Sequence, residues 1–140
     1  MGETKPLSGI HTKTGVLIVN LGTPDEPTRG AVYRYLKEFL LDPRVIDINA
    51  VARNLLVRGI IAPFRSGKSA KAYQELWTPN GSPLKIYGER LVSQVQALLG
   101  ENYAVELAMR YQNPSIASSI DKLMAQKVSN IVVFTLFPQY

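Results

Sequence analysis

The sequence TGVLIVNLGTP, from Thr14 to Pro24, decides the fold. Its core, Val16 to Leu21, is a run of β-branched and aliphatic residues without the polar alternation of a half-exposed strand. Such a run is typical of a strand buried on both faces of a parallel sheet. Gly22 permits a tight turn or the close approach of a ligand, and Pro24 cannot continue a ladder. The turn is therefore expected at the carboxyl edge of the sheet, where open α/β folds bind ligands.

Alternating helices and strands are predicted on either side of this strand. Two more apolar runs predict strands, and four stretches with helical periodicity predict helices. The strands are Tyr103 to Met109 and Asn130 to Phe137; the helices are Thr28 to Leu41, Ser66 to Leu76, Leu84 to Leu99 and Ser115 to Gln126, the last with Ile116, Ile120, Leu123 and Met124 facing inward. This order implies parallel strands with right-handed crossovers, with the first strand in the centre. The fold class is α/β, a three-layer open parallel sheet.

Local signals place the ends of several elements. Thr28 is a candidate N-cap for the first helix, which Asp42-Pro43 ends because the residue before proline avoids the α region. Val45 to Ile48 reads as a short extended piece. Ser82 is the candidate cap of the helix that Pro83 opens.

The stretch from Asn49 to Phe64 is apolar around much of its circumference, with Gly59 and Pro63 expected to break it. One interpretation is a core helix, which is the commoner case. The other is an apolar lip, Leu55 to Phe64, that meets a flat hydrophobic ligand or a bilayer surface. The sequence leaves both open. The lip interpretation predicts that several of its large apolar side chains are exposed.

Composition excludes several classes of function. The chain of 140 residues has no cysteine, which rules out disulfides, thiolate metal sites and cysteine nucleophiles, and fits a cytoplasmic location. The net charge of +5 is compatible with binding to nucleic acid, to an anionic membrane or to an acidic small ligand. Because the positive charge is spread along the chain, we expect no nucleic-acid partner. Residues 1–14 are predicted to be a flexible tail and residues 15–140 one α/β domain, whose sheet looks incomplete after the third strand.

Familiar catalytic motifs are absent from the sequence. The GKS of RSGKS, Arg65 to Ser69, lacks the first glycine of a phosphate-binding loop and does not follow a strand. His11 is the only histidine, so neither a histidine metal site nor a Ser-His-Asp triad can form within one chain. We expect no catalytic and no metal-binding residues in this chain.

Polar and apolar side chains are nevertheless expected to meet at the carboxyl edge of the sheet. Leu21 and Gly22 follow the first strand, Arg110 and Tyr111 the second, and Tyr140 the third. Three side chains from the intervening segments could reach the same edge, and apolar residues lie near them in sequence. The three are Arg65, Tyr73 and Ser82, and the apolar neighbours are Leu40, Ile60 and Phe64. This set suits a flat apolar ligand that carries carboxylates, although surface arginines and half-buried tyrosines are usually structural.

Five segments together resemble ferrochelatase, the enzyme family that inserts ferrous iron into a porphyrin to complete haem. They occur in the family's order between residues 15 and 140, and they are VLIVNLGTP, FLLDPRVI, NGSPLKIYGERL, AMRY followed by Pro114, and FTLFPQY. The resemblance implies that Arg65 contacts a propionate and that Tyr73 and Ser82 contact the porphyrin. The loop before Ser82 is longer here than in some relatives. Arg110 and Tyr111 match the family's arginine-tyrosine pair.

The resemblance also implies that Leu21, Phe39 and Leu40 line the pocket and that the lip can touch a membrane peripherally, at the inner membrane. Fe²⁺ and porphyrin (protoporphyrin or coproporphyrin) are the family's substrates, and no cofactor is expected in this chain. The family's metal-delivering histidine and proton-accepting glutamate belong to a second domain, which this sequence does not contain. Three hypotheses follow: the N-terminal part of a ferrochelatase, inactive alone; a stand-alone porphyrin-binding module; and, ranked last, a basic nucleotide- or nucleic-acid-binding domain.

Overall fold

The structure, a computed structural model, describes residues 13–138. A parallel sheet consists of β1 (Thr14–Gly22), β2 (Tyr103–Tyr111) and β3 (Asn130–Thr135), in the order β2-β1-β3. The predicted central position of the first strand is therefore confirmed. Most of the predicted tail lies outside the described residues, and so do His11 and Tyr140. β1 begins at Thr14, and the Lys13 carbonyl accepts a hydrogen bond from the Ser129 amide at 2.8 Å.

Helices connect these strands and cover the sheet, so the α/β class is confirmed. They are α1 (Arg29–Leu41), α2 (Ala50–Leu56), α3 (Ala62–Leu76), α4 (Pro83–Leu99) and α5 (Ile116–Ala125), with a π-helical segment, Val57–Ile61, between α2 and α3. α4 packs on one face of β1 and β2, and α5 packs on the other. β1 and β2 thus lie between two helical layers.

The side chains of β1 alternate between the two layers. Ile18 packs with the α4 residues Leu91 and Val95, whereas Leu17 and Val19 share a cluster with Leu123 of α5. Leu17, Ile18 and Val19 are 1–3% exposed, which explains why the strand carries a continuous apolar run rather than alternation. β1 is the central strand because it pairs with both β2 and β3.

α1 and α3 pack against each other beside the carboxyl end of β2. The α1 N-cap prediction is confirmed: the Thr28 hydroxyl accepts a hydrogen bond from the Ala31 amide at 3.3 Å. Val32 and Leu36 of α1 and Val57 of the π-helical segment join Tyr111 of β2 in one buried cluster. This cluster forms the floor of the candidate site.

The prediction of an extended piece at Val45 to Ile48 is wrong, because the chain makes turns there. The amides of Val45 and Ile46 both donate to the carbonyl of Asp42, at 2.9 and 3.2 Å. The Arg53 guanidinium then bonds the carbonyls of Ile46 and Ile48 at 3.3 and 3.0 Å. Because these amides and carbonyls already have hydrogen-bond partners within the segment and on Arg53, the segment needs no neighbouring strand.

The expected break at Gly59 and Pro63 is also wrong, because α2, the π-helical segment and α3 follow one another without interruption. Proline inside an α-helix loses one hydrogen bond and clashes with the carbonyl four residues earlier. Here the turn before Pro63 is widened to i→i−5 bonding, as shown by the Ala62 amide donating to the Val57 carbonyl. The wider turn relieves that clash, so the helix continues.

Several large apolar side chains are exposed. Leu55, Ile60 and Phe64 are 70%, 57% and 78% exposed, while Leu56 and Ile61 are half-buried. The predicted exposure of several lip residues is therefore confirmed, and the core-helix interpretation fails for Leu55, Ile60 and Phe64. We call these five residues the apolar lip.

Two other apolar predictions turned out differently. Met124, expected to face inward, is 59% exposed, whereas Leu123 beside it is fully buried. The β3 run is apolar on both faces, but Val132, Val133 and Phe134 are 52–60% exposed because α4 and α5 pack on β1 and β2 rather than on β3.

Candidate functional site

Three side chains meet where β2 ends beside the C-terminus of α1. Asp42 is the C-cap of α1, and one of its carboxylate oxygens, Oδ2, accepts hydrogen bonds from Arg110 Nη2 at 2.6 Å and from the Tyr111 hydroxyl at 3.0 Å. The other oxygen, Oδ1, accepts a hydrogen bond from the Arg44 amide at 2.9 Å. Arg110 and Tyr111 are the last two residues of β2, not residues after it as predicted. A local helix end and a distant strand end are thereby joined through one carboxylate.

The contacts determine the ionisation of this cluster. The hydrogen bond from the Arg44 amide, supported by the Tyr111 hydroxyl and the positive charges of Arg110 and Arg44, lowers the pKa of Asp42 although burial opposes this. Burial, and then the hydrogen bond to Asp42 and its negative charge, raise the pKa of Tyr111. Asp42 is therefore a carboxylate and Tyr111 a neutral phenol at neutral pH.

An aromatic cluster lies directly beneath these groups. Phe39 is stacked on Tyr35 with ring centroids 6.0 Å apart, and it meets Tyr111 edge to face at 5.2 Å. Tyr35 in turn meets Tyr73 of α3 edge to face at 6.4 Å, and Tyr73 meets Trp77 in the same way. Burial raises the pKa values of Tyr35 and Tyr73, so both are neutral donors. We call these rings, Tyr35, Phe39, Tyr73, Trp77 and Tyr111, the aromatic wall. Edge-to-face pairs bury area and also fix the orientation of each ring.

Four predicted site residues belong to this wall or floor. Leu40 and Tyr111 are buried in the cluster, and Phe39 and Tyr73 pack against it while remaining half-buried. Leu21 is near the end of β1, where Gly22 is paired with Tyr111, and it is 36% exposed. The register thus places Leu21 level with Arg110 at the carboxyl edge of the sheet.

Gly22 is required where β1 ends. Its φ is 125°, and a Cβ built on it would lie 2.2 Å from the carbonyl oxygen of Tyr111. No side chain fits in that space, so the backbones of β1 and β2 approach each other directly below the candidate site.

Ser82 is the N-cap residue of α4, as predicted, but no first-turn amide bonds to its side chain. Instead its hydroxyl lies 2.9 Å from the hydroxyl of Thr23, and both residues are buried. This hydrogen bond ties the turn after β1 to the start of α4. Ser82 therefore lies at the carboxyl edge, with its hydroxyl engaged by Thr23 in this structure.

Arg65 is not brought into contact with the other predicted residues. It is exposed on α3 and makes no hydrogen bond or ion pair with another residue in the range 13–138. Tyr73 follows eight residues later, about 12 Å further along the helix axis. Arg65 is therefore exposed to solvent, without a partner in that range.

The loop after β2 is held by two carboxylates, those of Glu38 and Asp25. Glu38 of α1 accepts hydrogen bonds from the backbone amide and the side-chain amide of Gln112, whose φ is 66°. Asp25 accepts from the side-chain amide of Asn113 at 3.2 Å. These bonds fix the direction of the chain as it leaves the site.

A cavity of about 430 Å³ opens beside Arg110. It is lined by Glu38, Leu41, Asp42, Pro43, Arg44, Arg110 and Tyr111. The Arg110 side chain is 38% exposed and has five N–H donors, of which Nη2 is held by Asp42. The remaining donors, above an aromatic wall, can bind a carboxylate on a flat apolar ligand.

Sequence reasoning missed Asp42 and Thr23, which organise the site. Asp42 was interpreted only as part of a helix stop, and Thr23 only as part of a turn. A carboxylate at a helix C-cap is unfavourable beside the negative end of the helix dipole. That mismatch is a sequence signal that Asp42 has another partner, and the partner is Arg110.

Two absences within residues 13–138 bear on function. No group of three or more His, Cys, Asp and Glu residues there could hold a metal ion. Nor does that part of the chain contain a helix of the length and hydropathy needed to cross a membrane.

Comparisons with known proteins connect this geometry to a family. The family model described as Ferrochelatase matches residues 13–140. The chain is similar to ferrochelatases from Coxiella burnetii (48% identical), Klebsiella pneumoniae (50%) and Serratia proteamaculans (52%), over 93%, 93% and 91% of its length. It spans only 37%, 40% and 40% of those relatives, about two fifths of their length. The chain therefore belongs to the ferrochelatase family.

Proposed function

We propose that this chain forms the porphyrin-binding part of a ferrochelatase, a lyase of haem biosynthesis that inserts Fe²⁺ into a porphyrin. The observation that carries the proposal is the family match across residues 13–140. The geometry supports it: an aromatic wall, an arginine with unused donors and a neighbouring cavity lie at one edge of the sheet. A porphyrin is a flat apolar ring with carboxylates at its rim, so it can use all three.

Each predicted residue has a role in this proposal. Leu21, Phe39 and Leu40 supply the apolar wall together with the ring of Tyr111, which meets Phe39 edge to face. Tyr73 adds a hydroxyl from α3. Arg65 and Arg110 bind propionates through charge-assisted hydrogen bonds. Ser82 contacts the porphyrin after its hydroxyl, now bonded to Thr23, turns toward the ligand.

Metal insertion requires more than binding. Two N–H protons must leave the porphyrin as Fe²⁺ enters, which needs a base and transient metal ligands. In the part of the chain that the structure describes, no acidic or histidine cluster offers this combination. We therefore propose that the chain alone binds porphyrin and does not insert iron, and that the longer family proteins supply the base and ligands from residues beyond this part.

A peripheral membrane contact is part of the same proposal for a cytoplasmic protein. Leu55, Ile60 and Phe64 of the apolar lip are exposed, and Arg58 and Arg65 lie among them. Exposed apolar side chains flanked by arginines suit the boundary of an anionic bilayer, and a porphyrin is a sparingly soluble ligand that partitions there.

Arg65→Ala is the variant that tests porphyrin binding. A charge-assisted contact contributes roughly 1.5–3 kcal/mol when partly desolvated, which corresponds to roughly 10- to 150-fold in affinity. Because Arg65 is exposed, we expect the lower end, about tenfold. Fluorescence titration of protoporphyrin and coproporphyrin measures both dissociation constants. Lys68→Ala is the matched control, since it removes the same charge from another exposed position of α3.

Two results would count against the proposal. Equal porphyrin dissociation constants for the wild type and Arg65→Ala, with Lys68→Ala unchanged, would remove Arg65 from the site. A stopped assay of haem formation by the purified chain should give only the rate without enzyme. Turnover above that background would show that the chain carries its own base and metal ligands.

A further inference from the structure

The carboxylate of Asp42 is the point where Arg110 and Tyr111 are both held. Its Oδ2 atom accepts from Arg110 Nη2 at 2.6 Å and from the Tyr111 hydroxyl at 3.0 Å. Its Oδ1 atom accepts from the Arg44 amide at 2.9 Å. One oxygen therefore stabilises the turn after α1, and the other stabilises two side chains 68 and 69 residues away in sequence.

The burial of the two partners is unequal. The Asp42 side chain is 6% exposed, whereas the Arg110 side chain is 38% exposed. A buried carboxylate needs compensation from every donor around it, so its position is fixed. An exposed arginine has many rotamers of similar energy unless something restrains it. Asp42 is thus the fixed partner, and Arg110 is the one that is held.

We propose that Asp42 is a positioning residue that directs the Arg110 guanidinium into the cavity and fixes the Tyr111 hydroxyl as a hydrogen-bond donor. With Nη2 bound to Asp42, the other guanidinium donors keep one orientation instead of sampling several. The Tyr111 hydroxyl donates its proton to the hydrogen bond with Asp42, so the phenol is not available to donate a hydrogen bond to a ligand.

This role differs from simple neutralisation of charge, and the two make opposite predictions for ligand binding. If Asp42 only cancels the charge of Arg110, removing its charge should make an anionic ligand bind more tightly. If Asp42 positions Arg110, the same change should weaken binding, because the guanidinium loses its orientation. Asp42→Asn distinguishes charge neutralisation from positioning. It removes the negative charge, while its side-chain amide oxygen can still accept a hydrogen bond from the Arg44 amide.

The first test needs no ligand. With ¹³Cζ-labelled tyrosine, the Tyr111 resonance is assigned from its absence in Tyr111→Phe. In the wild-type chain this resonance should shift as pH falls through the Asp42 pKa, below its ordinary value of about 4. The charged groups facing this carboxylate are Arg44 and Arg110, and Glu38 is the other acidic group that lines the same cavity. The shift should vanish in Asp42→Asn and persist in Asp47→Asn, which removes the same charge at an exposed site nearby.

A flat Tyr111 resonance in the wild type, or an acid shift that survives in Asp42→Asn, would overturn the proposal. If Asp42→Asn does not fold, persistence of the shift in Glu38→Gln assigns it to Asp42, since Glu38 is the other acidic group lining the cavity. Asp42→Glu keeps the charge on a longer side chain and should restore part of the shift, which a role confined to the turn at Arg44 would not predict.

The second test rests on the proposed function. Asp42→Asn should bind coproporphyrin about tenfold more weakly than the wild type, with Asp47→Asn unchanged. Tighter binding would show charge neutralisation and overturn positioning. If no variant binds porphyrin but the Tyr111 resonance still reports Asp42, the proposed function fails while the positioning role stands.

Discussion

Replacement of Gly22 by alanine tests the close approach of β1 and β2 below the site. The new Cβ would lie 2.2 Å from the Tyr111 carbonyl oxygen, where ordinary contact begins at 3.4 Å, so the end of β2 must move by about 1 Å. The positive φ of 125° adds a backbone cost of about 1–3 kcal/mol. Movement of Tyr111 also weakens its hydrogen bond to Asp42, a charged acceptor, which contributes about 1.5–3 kcal/mol. We expect a total loss of roughly 3–6 kcal/mol in the free energy of unfolding.

Gly81→Ala provides the matched control. Gly81 also has a positive φ, 112°, but a Cβ there would meet nothing within 4 Å. It should therefore show the backbone cost alone, about 1–3 kcal/mol. Urea unfolding followed by circular dichroism measures both variants. If Gly22→Ala and Gly81→Ala lose the same free energy within about 0.5 kcal/mol, a typical effect of an exposed substitution, the steric reasoning is refuted.

Three more predictions follow from contacts described above. The pKa of Asp42 is lowered in the folded state, so this carboxylate stabilises the fold at pH values above its unfolded-state pKa. That stabilisation is lost as the pH falls through the folded-state pKa. The free energy of unfolding should therefore drop below about pH 4, and drop less in Asp42→Asn. Ser119→Ala removes a buried hydrogen bond to the Leu107 carbonyl at 2.5 Å and should cost about 0.5–1.5 kcal/mol in urea unfolding. A Leu55→Ser, Phe64→Ser double variant should keep its stability within about 1 kcal/mol but bind anionic vesicles at least about tenfold more weakly in sedimentation.

Each of these has an outcome that contradicts it. An acid transition unchanged in Asp42→Asn would assign that transition to other carboxylates. A Ser119→Ala variant as stable as the wild type would mean that another donor satisfies Leu107. A lip variant that unfolds easily would return the lip to a core role, and one that binds vesicles as well as the wild type would remove its membrane role.

The central sheet could be predicted from the sequence because its signals are local. The apolar run Val16 to Leu21 and the stop at Gly22 require no knowledge of distant residues. Helix ends at Thr28 and Asp42-Pro43 were also readable, since capping depends on neighbours in sequence. The turns at Val45 to Ile48 were missed because the Arg53 side chain, not the local sequence, satisfies their carbonyls.

The site was only partly predictable. Residue types and strand ends correctly indicated that Arg110 and Tyr111 lie at the carboxyl edge. They could not reveal that Asp42 holds both, because that contact spans 68 residues. The hydroxyl pair of Thr23 and Ser82, 59 residues apart, was hidden for the same reason. Long-range polar pairs leave no periodic trace in a single sequence.

The π-helical segment Val57–Ile61 has a consequence for changes in chain length. A turn with i→i−5 bonding contains one residue more than an α-turn, so the segment stores a single surplus residue without altering the helices on either side. Gly59 within it has nothing within 4 Å of a built Cβ. Its deletion should convert the segment to ordinary α-helix and leave the helices on either side in the same rotational register, at the cost of restoring the Pro63 clash that the wide turn relieves. Elsewhere in the same helices a one-residue deletion would turn an apolar face by about 100°.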